Sequence, residues 1–134
     1  MKNLISAIAV LVITLSSPFV QANGEMAEAK RAILTSGIES REPVDNLNDT
    51  TISIQNNKVY FFTEILNQAN TAITHRWFKN GKLEAEVVLR IGSDRWRTYS
   101  SKNLVPDYHQ GSWQVEVVSQ SGKLLATHSF QYGN

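Results

Sequence analysis

Residues 73–104, ITHRWFKNGKLEAEVVLRIGSDRWRTYSSKNL, decide the fold of this 134-residue chain. Apolar and polar residues alternate on both sides of the Asn-Gly pair at 80–81, which is a strong signal for a hairpin with a tight turn. A Gly-Ser-Asp turn then leads into a second alternating segment. The stretch therefore predicts three consecutive antiparallel strands, at 73–78, 83–91 and 95–100.

The hairpin allows two registers, which differ in the residues that they set opposite one another. A plain two-residue turn pairs Phe78 with Leu83 and places Trp77 opposite Glu84. A three-residue loop, with Gly81 in a left-handed bulge, pairs Trp77 with Leu83 instead. A slip of one residue moves a whole set of side chains to the other face of the sheet. We favour the three-residue loop because it gives an apolar inner row.

Further strands are predicted on both sides of this stretch. The segment KVYFFTEIL at 58–66 is apolar on both faces, so we expect a central strand or one covered on both sides. The segment SWQVEVVS at 112–119 alternates cleanly and precedes a last strand at 123–132. The other predicted elements are a helical turn at 26–30, a first strand at 31–39 and a short strand at 51–54. Roughly seven short strands separated by Gly, Asn and Ser turns indicate an all-β antiparallel sandwich.

The first 22 residues have the pattern of a secretory signal peptide. A short basic start precedes an apolar run at 4–15, and the small residues before position 23 suit a signal peptidase that cleaves after Ala22. The apolar run is too short to cross a bilayer comfortably, so we expect no stable membrane span after cleavage. An uncleaved anchor is the alternative. The predicted organisation is a signal peptide at 1–22, a leader of the mature chain at 23–30 and a β-sandwich domain at 31–134.

The chain contains no cysteine, and its formal net charge is +1. The lack of cysteine excludes disulfides, a lipid-modified N-terminal cysteine and thiolate chemistry. A chain of this composition, exported without disulfides, has to rest on its hydrophobic core, and the periplasm is its expected location, with release from the cell as the alternative. A charge this close to balance predicts no nucleic-acid partner.

The residues that could carry chemistry form no catalytic or metal-binding motif. The histidines His75, His109 and His128 have neither HxH nor HExxH spacing, and no GxSxG sequence occurs. The carboxylates of Glu84 and Glu86 would lie about 7 Å apart on one strand, but arginines nearby are expected to neutralise them. We therefore predict that the protein is not an enzyme and has no catalytic residues, metal ion or cofactor.

The run RWRTYSSK at 95–102 is the strongest candidate for a binding surface. Alternation places Trp96 on one face of the strand and three cationic or aromatic side chains on the other. Guanidinium groups bind carboxylates and phosphates, and tyrosine stacks on sugars or backbone. The predicted partner-binding residues are Arg95, Arg97, Tyr99 and Lys102. The alternative is that Arg97 is structural, stacked on a ring and paired with an acid such as Glu116 or Asp107.

Three segments of the chain resemble, in order, a bacterial domain family catalogued only as a domain of unknown function. They are THRWFKNGKLEAEV, RWRTYSSKNL and GSWQVEVVSQSGKLLATHSF, and the earlier VYFFTE and REPVD segments are similar to the N-terminal part of the same family. The resemblance covers about residues 32–132. It implies an immunoglobulin-like sandwich in an exported or membrane-attached protein, and it implies no activity.

The sequence as a whole favours a periplasmic, non-enzymatic binding or protein-interaction domain. Its partner would be another envelope protein, bound by the basic-aromatic run or by strand addition at an exposed sheet edge. The alternative is a carbohydrate- or peptidoglycan-binding module, which exposed aromatic rings in a flat row would favour. We expect Trp77 and Trp113 to lie in the core, where sandwiches of this kind place their central ring.

Overall fold

The computed structural model describes residues 26–134, so the signal peptide and its cleavage after Ala22 lie outside the described residues. The strands, in chain order, are β1 (Glu28–Thr35), β2 (Ile38–Glu39), β3 (Glu42–Pro43), β4 (Thr50–Ile52), β5 (Lys58–Leu66), β6 (Thr71–Lys79), β7 (Lys82–Ile91), β8 (Arg95–Asn103), β9 (Gly111–Val118) and β10 (Leu124–Tyr132), with a short helix, α1 (Pro106–His109), before β9. The prediction of an all-β fold is confirmed. In this part of the chain, no helix has the length and apolar character needed to cross a membrane.

Two sheets pack face to face. In the first, β5 lies between β1 and β8, which confirms its predicted central position. In the second, the order is β4-β10-β9-β6-β7. The short β4 runs parallel to β10, and the long strands pair antiparallel. In immunoglobulin lettering the sheets correspond to strands A-B-E and G-F-C-C′, so the antiparallel sandwich has an immunoglobulin-like order.

Aromatic rings form the centre of the core. Trp77 on β6 and Trp113 on β9 are both buried, as predicted. The ring of Phe61 on β5 meets Trp77 edge-on with centroids 6.3 Å apart, and Trp113 stacks on Phe130 with centroids 5.7 Å apart. In antibody domains a disulfide between strands B and F packs against the strand-C tryptophan. In this cysteine-free chain, a phenylalanine on strand B packs against that tryptophan.

The β6–β7 hairpin does not have the register that we favoured. Its turn at 80–81 has two residues, both with positive φ, and it pairs Phe78 with Leu83. One pair further on, a bulge adds a residue to β7 and sets Trp77 opposite Ala85. The predicted three-residue loop was therefore wrong. The hairpin still has an apolar inner row. The extra residue of the bulge moves the side chains that follow it on β7 to the opposite face, so the change of face occurs after the turn rather than within it.

The first strand also differs from its prediction. The helical turn at 26–30 was wrong, because β1 already begins at Glu28 and pairs along β5. Tertiary pairing overrides the helix propensity of these residues. The strand ends at Thr35 rather than at residue 39. There the Asp45 carboxylate accepts hydrogen bonds from the side chains of Thr35 and Ser36, which turns the chain away from the sheet.

Candidate functional site

The outer face of the three-stranded sheet carries a row of charged side chains. The cross-strand register sets Arg31 on β1 beside Glu64 on β5, and Glu64 beside Arg97 on β8. Side chains alternate along β8, so Arg95 and Tyr99 share this outer face. The register of three strands thus brings together charges from distant parts of the sequence.

Glu64 is the buried centre of this row. Its side chain is only 4% exposed, and it accepts hydrogen bonds from Arg31 Nε at 2.6 Å and Arg95 Nε at 2.5 Å. Burial raises the pKa of Glu64, but the hydrogen bonds from the two arginines lower it by more, so its pKa lies below the ordinary value. The carboxylate is therefore ionised at neutral pH and holds the two guanidinium groups in place.

Glu42 lies over the outer face of the sheet and completes the row of charged side chains. It lies on β3, and its carboxylate accepts two hydrogen bonds from Arg31, at 2.7 and 2.9 Å, and one from Arg97 at 2.5 Å. These bonds, those from Arg31 first, lower the pKa of Glu42 to about 2. In turn, Glu42 and Glu64 raise the pKa of Arg31. The short β2–β3 hairpin is thus tied to the outer face of β1 and β8 by charge-assisted hydrogen bonds.

A strained turn places a further arginine beside the row. Ser40 and Arg41 form the two-residue turn between β2 and β3, and their φ angles are 51° and 65°. Turns of this kind favour Gly, which has no Cβ, and Asn, whose short polar side chain can hydrogen-bond locally, whereas most other residues pay about 1–2 kcal/mol in the left-handed region. Strain of this order is found at functional sites when the surrounding structure holds it.

These side chains line a cleft of about 420 Å³, which we call the arginine cleft. Its lining consists of Arg31, Arg41, Glu42, Glu64, Ser93, Arg95, Trp96 and Arg97. Four arginines face two glutamates, which leaves a formal excess of two positive charges. A neighbouring cleft of about 330 Å³ shares Arg41, Trp96 and Arg97, and adds the rings of Phe62 and Tyr99 and the side chain of Arg90.

The four predicted binding residues do not all lie together. Arg95, Arg97 and Tyr99 share the outer face, where the Arg95 side chain is 67% exposed and Tyr99 is 47% exposed. Lys102 lies on the opposite face of β8, with its Nζ 6.0 Å from the Trp113 ring centroid. Trp96 lies on that inner face, half-buried against the core. The acid that binds Arg97 is Glu42, rather than Glu116 or Asp107.

Sequence reasoning missed Arg31, Arg41, Glu42 and Glu64. The sequence did point to Glu64, because it is the one acidic residue inside the apolar run KVYFFTEIL. A carboxylate is rarely buried unless it is paired, so this residue predicts a basic partner on a neighbouring strand. Arg31 and Glu42 give no comparable local signal, because they lie 11 residues apart and Glu42 also binds Arg97, 55 residues away. Arg41 gives none either, because it makes no ion pair within residues 26–134.

A second polar cluster lies buried between the sheets. His75 on β6 is fully buried; its Nδ1 is 2.6 Å from Ser100 Oγ on β8 and its Nε2 is 3.2 Å from Thr63 Oγ1 on β5. Ser100 Oγ also accepts a hydrogen bond from Trp77 Nε1 at 3.2 Å, and Thr63 Oγ1 donates to the Thr98 carbonyl. Burial lowers the pKa of His75 to about 3, so the imidazole is neutral at physiological pH.

The directions of these hydrogen bonds follow from their chemistry. Indole nitrogen only donates, so Ser100 Oγ accepts from Trp77 and its hydroxyl proton goes to His75 Nδ1. The other imidazole nitrogen then carries the proton and donates to Thr63, whose own proton goes to a backbone carbonyl. Every polar side-chain atom in this inter-sheet chain is satisfied. The arrangement links the two sheets at a single register.

The other histidines do not form a metal site with this cluster. His75 and His128 lie on the two strands that flank β9, opposite Val117 and Val115. Within residues 26–134, no three His, Asp or Glu side chains are placed to hold a metal ion together. His109 is engaged elsewhere, since its Nδ1 accepts a hydrogen bond from Val105 N at 2.8 Å.

Residues 70–132 match a family described as a protein of unknown function, DUF2914. The match begins just before β6 and ends with β10, so it includes Arg95, Arg97 and Tyr99 on β8. The parts of the arginine cleft contributed by β1, the β2–β3 hairpin and β5 lie before it. No curated protein matches the chain. The similarity is thus to a domain family of unknown function, which agrees with the resemblance of the three later segments; the VYFFTE and REPVD segments lie outside the match.

Proposed function

We propose that this protein is an exported, non-enzymatic binding domain of the cell envelope that recognises carboxylate groups of a partner protein. The proposal rests on the contacts and charge of the arginine cleft. It already holds two carboxylates of the chain itself, at hydrogen-bond distances of 2.5–2.9 Å. Its arginines outnumber those carboxylates by two, and planar guanidinium groups are the side chains best suited to bind carboxylates.

Two features fit a partner that is a protein. Tyr99 and Arg95 are exposed beside the cleft, and tyrosine and arginine are enriched among the residues that contribute most to protein interfaces. Arg41 makes no ion pair within the described residues 26–134 and lies at the tip of its hairpin. Its guanidinium group is therefore available to an incoming carboxylate without the loss of an internal contact.

The cellular location rests on the N-terminal sequence. The basic start, the apolar run at 4–15 and the small residues before position 23 favour export and cleavage after Ala22. We propose a periplasmic location, which a mass measurement of the periplasmic fraction tests directly. The expected mass is that of the chain beginning at Asn23, and a full-length chain in the membrane fraction would contradict it.

The proposal of a non-enzymatic role is supported by the position of the Ser100–His75 pair. A serine hydroxyl 2.6 Å from an imidazole has the spacing of a catalytic nucleophile and its base. Both side chains are buried between the sheets, however. A substrate would have to open the sandwich to reach Ser100.

Titration with a short acidic peptide tests the recognition of carboxylates. The isotope-labelled protein is titrated with an N-acetylated, C-amidated tetraglutamate peptide, and the Nε–Hε resonances of the arginines are followed by NMR. We expect the resonances of Arg41, Arg95 and Arg97 to shift, and the affinity to fall as salt is added. The tetraglutamine peptide is the control, and equal shifts with both peptides would contradict the proposal.

Two variants sharpen this test. Arg41→Asn removes a charge and keeps a residue that tolerates the left-handed turn, and Lys123→Ala removes an exposed charge at the β9–β10 turn. We expect the first variant to weaken peptide binding and the second to leave it unchanged. Crosslinking in cells, with Arg97→Ala and Tyr99→Ala beside the wild type, would then identify the partner. A partner retained equally by all the cleft variants would place the interface elsewhere.

One groove favours the second candidate function, a carbohydrate- or peptidoglycan-binding module. It has a volume of about 750 Å³ and lies beside β4, β9 and β10. Hydroxyl and amide groups dominate its lining, which includes Thr51, Asn80, Ser112, Gln114, Ser129 and Gln131. Such groups both donate and accept hydrogen bonds, as a sugar hydroxyl requires. Trp77 and Trp113 are buried, however, so neither offers a ring on which a sugar could stack.

The same labelled protein distinguishes the two functions. N-acetylglucosamine oligomers and muropeptides are added in place of the acidic peptide, and the side-chain amide resonances of Asn80, Gln114 and Gln131 are followed. Shifts of these amides with N-acetylglucosamine oligomers, without shifts of the arginines, would establish the glycan-binding function. Shifts confined to the arginines with the acidic peptide would support the carboxylate-binding function.

A further inference from the structure

The second sheet ends in a long strand with an open edge. β7 runs for ten residues and pairs with β6 on one side. The edge at β10 is covered by the short β4, and the edge at β1 is covered by the following loop, where Leu47 N donates to the Leu34 carbonyl and the Asn48 side chain bonds the backbone of Leu34 and Ala32. In the first sheet, β8 also pairs on one side only within the described part of the chain, with β5. Within residues 26–134, no strand or loop pairs with the outer edge of β7. Proteins usually block such an edge, because it is a template for another strand.

The middle of β7 exposes an apolar side chain between opposite charges. Val88 is 68% exposed on the outer face. Two residues before it lies Glu86 and two residues after it lies Arg90, so all three share that face. The inner face between them carries Val87 and Leu89, which are only partly buried.

This pattern is complementary to itself when a second copy runs antiparallel. With Val88 opposite Val88 of the second copy, Glu86 lies opposite Arg90 and Arg90 opposite Glu86. On the inner face, Val87 then lies opposite Leu89, so every one of these pairs is apolar with apolar or acid with base. Sliding one strand by two residues in either direction sets Val88 opposite a charged residue. The register centred on Val88 is therefore distinguished by its side chains.

Within residues 26–134, Glu86 and Arg90 both keep hydrogen-bonding atoms that are available to a second copy. Glu86 accepts a hydrogen bond from Arg76 Nε at 2.9 Å through Oε2, and its Oε1 has no hydrogen bond within residues 26–134. Arg90 makes no hydrogen bond or ion pair in that same part of the chain. A carboxylate can accept from two arginines at once, so Glu86 can bind Arg90 of a second copy and keep Arg76.

We propose that two copies of this chain associate through their β7 strands, antiparallel and around a two-fold axis at Val88. The two five-stranded sheets then form one continuous sheet of ten strands. The inference does not depend on the carboxylate-binding function, because the arginine cleft is formed by β1, β3, β5 and β8 and the turns beside them. Only Arg90 is shared, through the smaller neighbouring cleft.

Charge exchange tests this association. The oligomeric state of the purified full chain, expressed with its own leader, is measured by sedimentation velocity over a range of concentrations. Glu86→Arg and Arg90→Glu each set like charges opposite one another at two symmetric positions, and we expect each to weaken the dimer by roughly tenfold or more. The double variant Glu86→Arg/Arg90→Glu restores both pairs and should restore the dimer. Glu84→Arg is the control, because it makes the same charge change opposite Gly92.

A single cysteine tests the register. The chain has no cysteine of its own, so Val88→Cys places one thiol at the proposed axis, where the two Cα atoms would be about 4.5–5.5 Å apart. We expect an interchain disulfide to form readily with Val88→Cys and not with Glu84→Cys. A wild-type chain that stays monomeric at all concentrations, or a double variant that fails to recover, would overturn the proposal. Either result would leave the peptide titration of the arginine cleft unaffected, so the two proposals fail separately.

Discussion

His75 and Ser100 are hydrogen-bonded to each other across the two sheets at 2.6 Å, although 25 residues separate them in the chain. His75 lies on β6 of one sheet and Ser100 on β8 of the other, and both are buried. The bond has partners on both sides, Trp77 at the serine and Thr63 at the imidazole. Loss of any member leaves a polar atom buried and unsatisfied, which makes this cluster a sensitive point of the fold.

Ser100→Ala should lower the free energy of unfolding by about 1–3 kcal/mol. The substitution leaves His75 Nδ1 and Trp77 Nε1 without their partner, and each buried group then loses its hydrogen bond without gaining water. Chemical denaturation measures the change. Ser101→Ala, at the exposed neighbouring position, is the matched control and should change stability by less than about 0.5 kcal/mol. Equal effects of the two substitutions would contradict the proposed role of the cluster.

The stability of the wild type should fall as the pH drops from about 6.5 towards 3. The folded-state pKa of His75 is about 3, against 6.5 for the free side chain. The unfolded chain therefore binds a proton that the folded chain does not, and the stabilisation is complete above pH 6.5. Below it, the slope from this residue should approach about 1.4 kcal/mol per pH unit.

His75→Gln isolates this contribution, because other groups titrate in the same range. Burial lowers the pKa of His109 as well, and its effect has the same sign. Between pH 5 and 6.5 the variant should show a shallower dependence than the wild type, measured by denaturant unfolding at each pH. Identical slopes would mean that the imidazole is hydrated or charged in the folded protein.

Trp77→Ala should cost about 3–5 kcal/mol of stability. Trp77 is fully buried, packs against Phe61 and donates a hydrogen bond to Ser100. Truncation leaves a cavity and removes one of the two hydrogen bonds of the Ser100 hydroxyl. Tyr108→Ala is the control, since that ring is 72% exposed on α1. A thermal melt that shifts equally little for both variants would place Trp77 outside the core.

Glu64→Ala and Arg97→Ala should differ in their effect on the free energy of unfolding, although both substitutions break ion pairs on the outer face of the same sheet. Glu64 is buried, so its loss removes two charge-assisted hydrogen bonds and should cost roughly 1–3 kcal/mol. Arg97 and Glu42 are about 40% exposed, and water screens such a surface pair, so we expect its loss to change the stability little. A large loss of stability in Arg97→Ala would assign that arginine a structural role rather than a binding role.

Because the pKa values of Glu42 and Glu64 are shifted, the stability that these two glutamates contribute depends on pH. Both folded-state pKa values lie below the ordinary 4.5, and that of Glu42 is about 2. The stability that they contribute is present above pH 4.5 and is lost as the pH falls through the folded-state values. The difference in stability between the wild type and Glu64→Ala should therefore shrink in acid, which denaturant unfolding at about pH 3 would measure.

Local pattern was sufficient to predict the long strands. Alternation and turn residues act over two to four positions, so the strands at 58–66, 73–78 and 112–119 were predicted close to their observed bounds. The hairpin turn at 80–81 was recognised, but its register was not. The bulge sets the buried Trp77 opposite Ala85, and alternation alone does not show where such an extra residue falls.

The sequence by itself determined the fold class and the core. Apolar residues recur every second position whether or not their partners are known, and burying them fixes which face of each strand turns inward. Only the tertiary structure decided the composition of the arginine cleft. Strand order and cross-strand register place Arg31, Glu64 and Arg97 side by side on one sheet. Glu42 comes from the separate β2–β3 hairpin, which is joined to that sheet by hydrogen bonds from Arg31 and Arg97. Because ionic contacts depend on distance in space rather than in sequence, the partners of Arg97 could be read only from the folded chain.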